Sequence, residues 1–94
     1  MALYTDAQIT ESLVHLDGYT CKDRTLVKEY AFNDFPEAIR WINAVAEIAE
    51  MQQHHPDLLI QYNRVRLSVW THDAGGLTEK DFRLAGAIED IPSA

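Results

Sequence analysis

An α+β fold, with a four-stranded antiparallel sheet and three helices packed on one face, is what this 94-residue sequence predicts. Two observations carry the prediction. Three side chains suited to helix N-caps, Thr5, Asp34 and Thr78, each precede a segment with apolar residues at helical spacing. Between Val65 and His72, apolar and polar residues alternate with the period of a half-buried strand. The resulting order is α-β-β-α-β-β-α, read as one domain over 1–94.

Each element has a local justification. Thr5 followed by Gln8 makes a capping box, and Ile9, Leu13 and Leu16 continue the helical stripe up to an exit at Gly18. Tyr19-Thr20-Cys21 forms a short strand, broken at Lys22-Asp23-Arg24. Thr25 to Phe32 returns as its hairpin partner, with a register that neither segment specifies by clean alternation. Asp34 caps the second helix, with Pro36 tolerated in its first turn and Glu37 at the third position. Ala38, Ile42, Val45 and Ala49 form its stripe, broadened by Trp41 and Ile48.

That helix should run to Gln52 or Gln53, because Pro56 pushes the residue before it toward extended geometry. Leu59 to Tyr62 is a third strand and Asn63-Arg64 its turn. Val65, Leu67, Val69 and Thr71 then alternate with Arg66, Ser68, Trp70 and His72. Asp73 to Gly76 ends that strand, Thr78 caps the last helix with a stripe of Phe82, Ala85 and Ile88, and Pro92 marks its tail.

Composition narrows the function. At 47% hydrophobic residues the chain has material for a core, and a short chain gains burial by oligomerising. Fifteen acidic against eight basic residues give a net charge of -7, which argues against a general nucleic-acid or anionic-membrane surface. No apolar run reaches the roughly 20 residues of a membrane-crossing helix, and the first residues lack signal-peptide character. Cys21 is the only cysteine, so no intrachain disulfide can form. A reducing, cytoplasmic setting is the expectation, and Cys21 is expected to be a small buried hydrophobe.

The chemistry rests on histidine. His54 and His55 sit at a helix end on backbone restrained by Pro56, where imidazoles can exchange protons near neutral pH. The alternative is that one caps the helix and the other faces solvent. His72 stands at the end of the best-defined strand, either at a pocket mouth or as a surface histidine. Glu50 lies one helical turn before His54, so the two could share a face. Asp81 is the third residue after Thr78 and serves the cap, with a further link to ligand or histidine open. Adjacent histidines rarely point to one centre, and no His-x-x-x-His or Cys-x-x-Cys spacing occurs, so neither metal nor cofactor is expected. Gly75-Gly76 has no phosphate-loop context. Trp41 is expected in the core, and Trp70 in the core or at an interface.

The blocks Glu50-x-x-x-His54-His55-Pro56-Asp57, Tyr62-Asn63-x-Val65 and Thr71-His72-Asp73-x-Gly75-Gly76-Leu77-Thr78-x-x-Asp81 closely resemble the pterin-4a-carbinolamine dehydratase family. Tyr30-x-Phe32-x-Asp34-Phe35-x-x-Ala38-Ile39 fits as well, so the resemblance spans nearly the whole chain. Gln53 and Tyr19 depart from residues frequent in the family. The resemblance implies the same sheet and helices, assembly as a dimer or pair of dimers, and a pterin pocket in each subunit. It also implies dehydration of 4a-hydroxytetrahydrobiopterin to quinonoid dihydropterin, linked to aromatic amino-acid hydroxylases, without metal or cofactor. His54, His55 and His72 match the family's active-site histidines, and Glu50 and Asp81 its carboxylates. Relatives that act in protein assembly or regulation supply the main alternative, and another pterin substrate a further one.

Overall fold

A computed structural model describes residues 2–92; Met1, Ser93 and Ala94, which the single-domain reading includes, lie outside the described residues. The elements are α1 (Asp6–Leu13), β1 (Thr20–Lys22), β2 (Thr25–Ala31), α2 (Phe35–Gln52), β3 (Asp57–Gln61), β4 (Arg64–Val69) and α3 (Glu79–Glu89), with a 3₁₀ turn at His72–Ala74. The four strands form one antiparallel sheet in the order β1-β2-β4-β3. The α-β-β-α-β-β-α order and the sheet therefore follow the sequence expectation.

The caps act as the sequence predicts. Thr5 and Gln8 exchange hydrogen bonds in a full capping box, Asp34 accepts from the Glu37 N–H, and Thr78 and Asp81 form a second full box. Strand β4 buries Val65, Leu67 and Val69 while Arg64 and Arg66 stay exposed. These three meet Leu26, Trp41, Val45, Leu84 and Ile88 in a single core between sheet and helices. A fully buried side chain of this kind contributes roughly 1.5–3 kcal/mol.

Strand β2 hides its alternation because its core-facing row is Leu26, Lys28 and Tyr30, opposite Val69, Leu67 and Val65. The Lys28 ammonium escapes burial by donating to the Asp17 carbonyl at 2.6 Å and to Glu89 at 2.9 and 3.0 Å. Tyr30 donates to Glu89 at 2.6 Å, and its hydroxyl lies 2.8 Å from that of Tyr19. The cluster ties α3 to β2.

Several boundaries differ from the sequence reading. Strand β1 runs Thr20–Lys22 rather than Tyr19–Cys21, with Lys22 paired to Thr25 instead of breaking the strand, and β4 ends at Val69 rather than His72. Leu16 is buried beyond the end of α1, in a turn rather than in the helix. The β3–β4 turn falls at Tyr62-Asn63, one residue early, because Tyr62 takes a left-handed φ of 53° and Arg64 already pairs with Gln61. Phe32 N–H donates to the Asn63 carbonyl, and Asn63 Nδ2 donates back to Phe32 O. Strand β3 begins at Asp57 rather than Leu59, since Asp57 pairs with Ser68. Cys21 is exposed, not buried, because β1 is a short edge strand.

The tyrosine cluster predicts alkaline sensitivity. Burial raises the Tyr19 phenol to about 12, and Tyr30 is raised further by burial and by its hydrogen bond to Glu89. Above the ordinary phenol value of about 10 the unfolded chain loses these protons while the native protein keeps them. The Tyr19 stabilisation is complete below pH about 10 and is lost as pH rises toward about 12, and the loss from Tyr30 continues beyond that. Melting temperatures measured from pH about 9 to about 12 should fall through that window, and Tyr19→Phe should flatten the fall.

Candidate active site

The site lies where the C-terminus of α2, the end of β4 and the N-terminus of α3 meet. Helix α2 ends with Gln53 in the left-handed conformation at φ 53°. Gln53 N–H donates to the Glu50 carbonyl and His54 N–H to that of Ala49. This pair of bonds is the Schellman arrangement, which folds the chain back against its own helix. His54 is thereby turned inward, and its side chain is only 12% exposed. Its Nε2 lies 2.6 Å from Asp81 Oδ1.

Asp81 is wholly buried at the third position of α3. Its Oδ2 accepts from the Thr78 N–H at 2.9 Å and from Thr71 Oγ1 at 2.8 Å. Thr71 and Thr78 hydroxyls are themselves 2.8 Å apart, and Thr78 Oγ1 accepts from the Lys80 N–H. Thr71 is pinned by backbone hydrogen bonds with Gly75 and Gly76, and Gly75 closes that loop at φ 76°, where a side chain would be strained. Among the described residues no buried side-chain nitrogen or oxygen lacks a partner.

The alternation of β4 carries on past the strand. Thr71 points inward to Asp81, while Trp70 and His72 stand on the other side with ring centroids 4.1 Å apart. His54, His55, Pro56, Trp70 and His72 line one open cavity of about 410 Å³, with Asp57, Asp73 and Lys80 adding charge to its wall. This volume suits a small heterocyclic ligand. Trp70 offers an aromatic face to such a ring, and the imidazoles offer proton exchange.

All three predicted histidines thus share one cavity. The carboxylates are arranged differently from the sequence expectation. Glu50 bonds His55, not His54, because the left-handed Gln53 rotates the chain and breaks the helical face the spacing implied. Both partners are exposed, at 58% for His55 and 71% for Glu50. Asp81 takes the place against His54 instead, below the cavity floor. Thr71 and Thr78 were legible only as strand end and cap, and Lys80 gave no signal at all. Among the described residues, no three His, Cys, Asp or Glu side chains are grouped to hold a metal ion. No helix among the described residues is long and apolar enough to cross a membrane.

The sequence model of the family described as Pterin 4 alpha carbinolamine dehydratase matches residues 2–91. The chain belongs to that family. Relatives provisionally named pterin-4-alpha-carbinolamine dehydratases lie at similar distances. The one from Chloroflexus aurantiacus is 46% identical over 91 residues, covering 97% of this chain and 98% of its own. The one from Acidobacterium capsulatum is 48% identical over 91 residues, covering 97% and 99%. Among solved structures, a transcriptional coactivator/pterin dehydratase from Brucella melitensis superposes with a TM-score of 0.90 at 31% identity, covering 94% of this chain and 96% of that one. A pterin dehydratase-like protein described as a RuBisCO assembly factor in the alpha-carboxysome shares the fold alone, with a TM-score of 0.62 at 18% identity over 76% and 82% of the two chains. The dehydratase family's fold thus accommodates different named roles, so a role for this chain has to be argued from its own site.

Proposed function

We propose that the protein dehydrates a 4a-hydroxytetrahydropterin, with 4a-hydroxytetrahydrobiopterin as the substrate implied by the family resemblance, and releases quinonoid dihydropterin and water. The observation that carries this reading is the convergence of His54, His55 and His72 on one cavity beside Trp70. In the reaction the C4a–O bond breaks and its electron pair leaves with the hydroxyl, which takes a proton to become water. The N5–H bond breaks and its electrons complete the C4a=N5 double bond. One proton is delivered and one removed, so a general acid and a general base suffice and no oxidant enters.

His54 and His72 form the acid–base pair, and His55 orients the substrate. Glu50 holds the His55 ring from outside the cavity, and Asp81 supports His54 from beneath it. The exposed His72, its ring tilted against that of Trp70, is suited to the departing hydroxyl at the cavity mouth. The setting consistent with this chemistry is a cytoplasmic supply of tetrahydropterin, with an aromatic amino-acid hydroxylase as the source of substrate.

The test follows enzymatically generated 4a-hydroxytetrahydropterin by ultraviolet absorbance. Wild type should accelerate its loss well beyond the spontaneous rate. His72→Ala should lose about 10²-fold, the lower end for general acid–base catalysis, because water reaches that position and partly replaces the acid. A wild-type rate equal to the spontaneous one would refute the dehydratase reading.

We also propose a homo-oligomer, a dimer or a pair of dimers. Strands β1 and β3 are both sheet edges, and β3 with its turn exposes Leu59, Ile60 and Tyr62. Unprotected apolar edges favour pairing with another chain. Light scattering coupled to gel filtration should give at least twice the 10.7 kDa chain mass; a monomer at micromolar concentration would overturn this assignment.

A further inference from the structure

We infer that buried Asp81, clamped by Thr71 and Thr78, holds His54 as its Nε2–H tautomer, so that His54 exchanges protons with the cavity only through Nδ1. This deepens the dehydratase reading by naming the reacting nitrogen and the residues that set it, and its consequence for rate rests on that reading. The tautomer itself does not.

The hydrogen-bond inventory around Asp81 assigns each proton. A backbone N–H can only donate, so Asp81 Oδ2 accepts there, the role an ionised carboxylate oxygen fills best. Thr71 Oγ1 lies 2.8 Å from the same oxygen and 2.8 Å from Thr78 Oγ1. A hydroxyl carries one proton. If Thr71 spent it on Thr78, its lone pairs would face the lone pairs of Oδ2. Thr71 therefore donates to Asp81, and Thr78 donates to Thr71 while accepting from the Lys80 N–H.

Only the contact between Oδ1 and His54 Nε2 remains. Imidazole is a stronger base than a carboxylate, so the proton between them lies on Nε2. In the neutral ring Nδ1 then carries the lone pair, and it has no hydrogen-bond partner among the described residues. His54 thus alternates between a neutral Nε2–H ring and an imidazolium, gaining and losing its proton at Nδ1. That suits the base that takes the N5 proton and leaves delivery to the departing hydroxyl to His72. Thr71, Thr78 and Asp81 are positioning residues in this arrangement.

The experiment is long-range proton–nitrogen correlation NMR on protein labelled with ¹⁵N-histidine, recorded up the pH scale until the ring signals no longer change. Wild type should show the His54 proton on Nε2; a proton on Nδ1 would overturn the inference. Asp81→Asn should invert the signature. The Thr78 N–H still demands an acceptor, so the amide oxygen takes the Oδ2 place and the amide NH₂ faces His54. His54 must then accept at Nε2 and carry its proton on Nδ1. An unchanged tautomer in that variant would overturn the inference.

Thr71→Val removes a hydrogen bond from Oδ2 but leaves a carboxylate facing His54, and it should keep the wild-type tautomer. A switch there would show that local packing sets the tautomer, and would also overturn the inference. On the dehydratase reading, Asp81→Asn should lower kcat by roughly 10²–10⁴-fold with KM little changed, as a wrong tautomer does. If wild type fails to accelerate dehydration while the NMR pattern holds, the dehydratase reading falls and the tautomer assignment stands.

Discussion

Replacing His54 with alanine is expected to lower kcat/KM for dehydration by roughly 10²–10⁴-fold while the chain still folds. The two effects separate because of where the ring sits. His54 bridges a buried carboxylate and an open cavity, so its removal extends the cavity down to Asp81 Oδ1. Water can enter that space and satisfy the oxygen, which limits the structural cost. On the proposed chemistry, however, the proton-transfer group is gone. Added imidazole should therefore restore part of the rate to His54→Ala, because the vacated space holds a free ring against the same carboxylate. Absorbance assays with and without imidazole, alongside circular dichroism of the variant, check both parts. A rate within about threefold of wild type would remove His54 from the chemistry.

The arrangement that gives His54 this place was only partly legible in the sequence. The caps at Thr5, Asp34 and Thr78 and the alternation of β4 were readable because each is a local rule satisfied by neighbouring residues. The double histidine was also readable as the end of a helix, since Pro56 had to stop it nearby. Its orientation was not. A Schellman turn usually announces itself with glycine, and here Gln53 occupies the left-handed position. With the turn unseen, the helical spacing assigned Glu50 to His54, whereas the fold gives Glu50 to His55 and Asp81 to His54.

Asp81 was visible as a cap residue because that role is local, but its contacts to Thr71 and His54 join segments 10 and 27 residues apart. Edge strands failed for the opposite reason. Strand β3 leaves Leu59 and Ile60 exposed, so burial within one chain imposes no alternation to read.

Asp81→Ala is expected to cost about 3–5 kcal/mol of stability, and the magnitude discriminates between two accounts of this residue. If Asp81 served only the capping box, its loss would resemble that of other capping residues, about 1 kcal/mol. The structure places three partners on it: the donating Thr78 N–H, the donating Thr71 hydroxyl, and His54 Nε2 at 2.6 Å. Thr78 is fully buried and Thr71 is 4% exposed, so water does not readily replace the lost acceptor at Oδ2. Stranding buried donors costs about 1–3 kcal/mol each, and their costs overlap because the same local relaxation serves all three. Urea unfolding at fixed protein concentration should show a lower midpoint with an unchanged slope. A loss near 1 kcal/mol would reduce Asp81 to a cap, whereas the larger loss would make it the joint that holds β4, α3 and the end of α2 in register beneath the cavity.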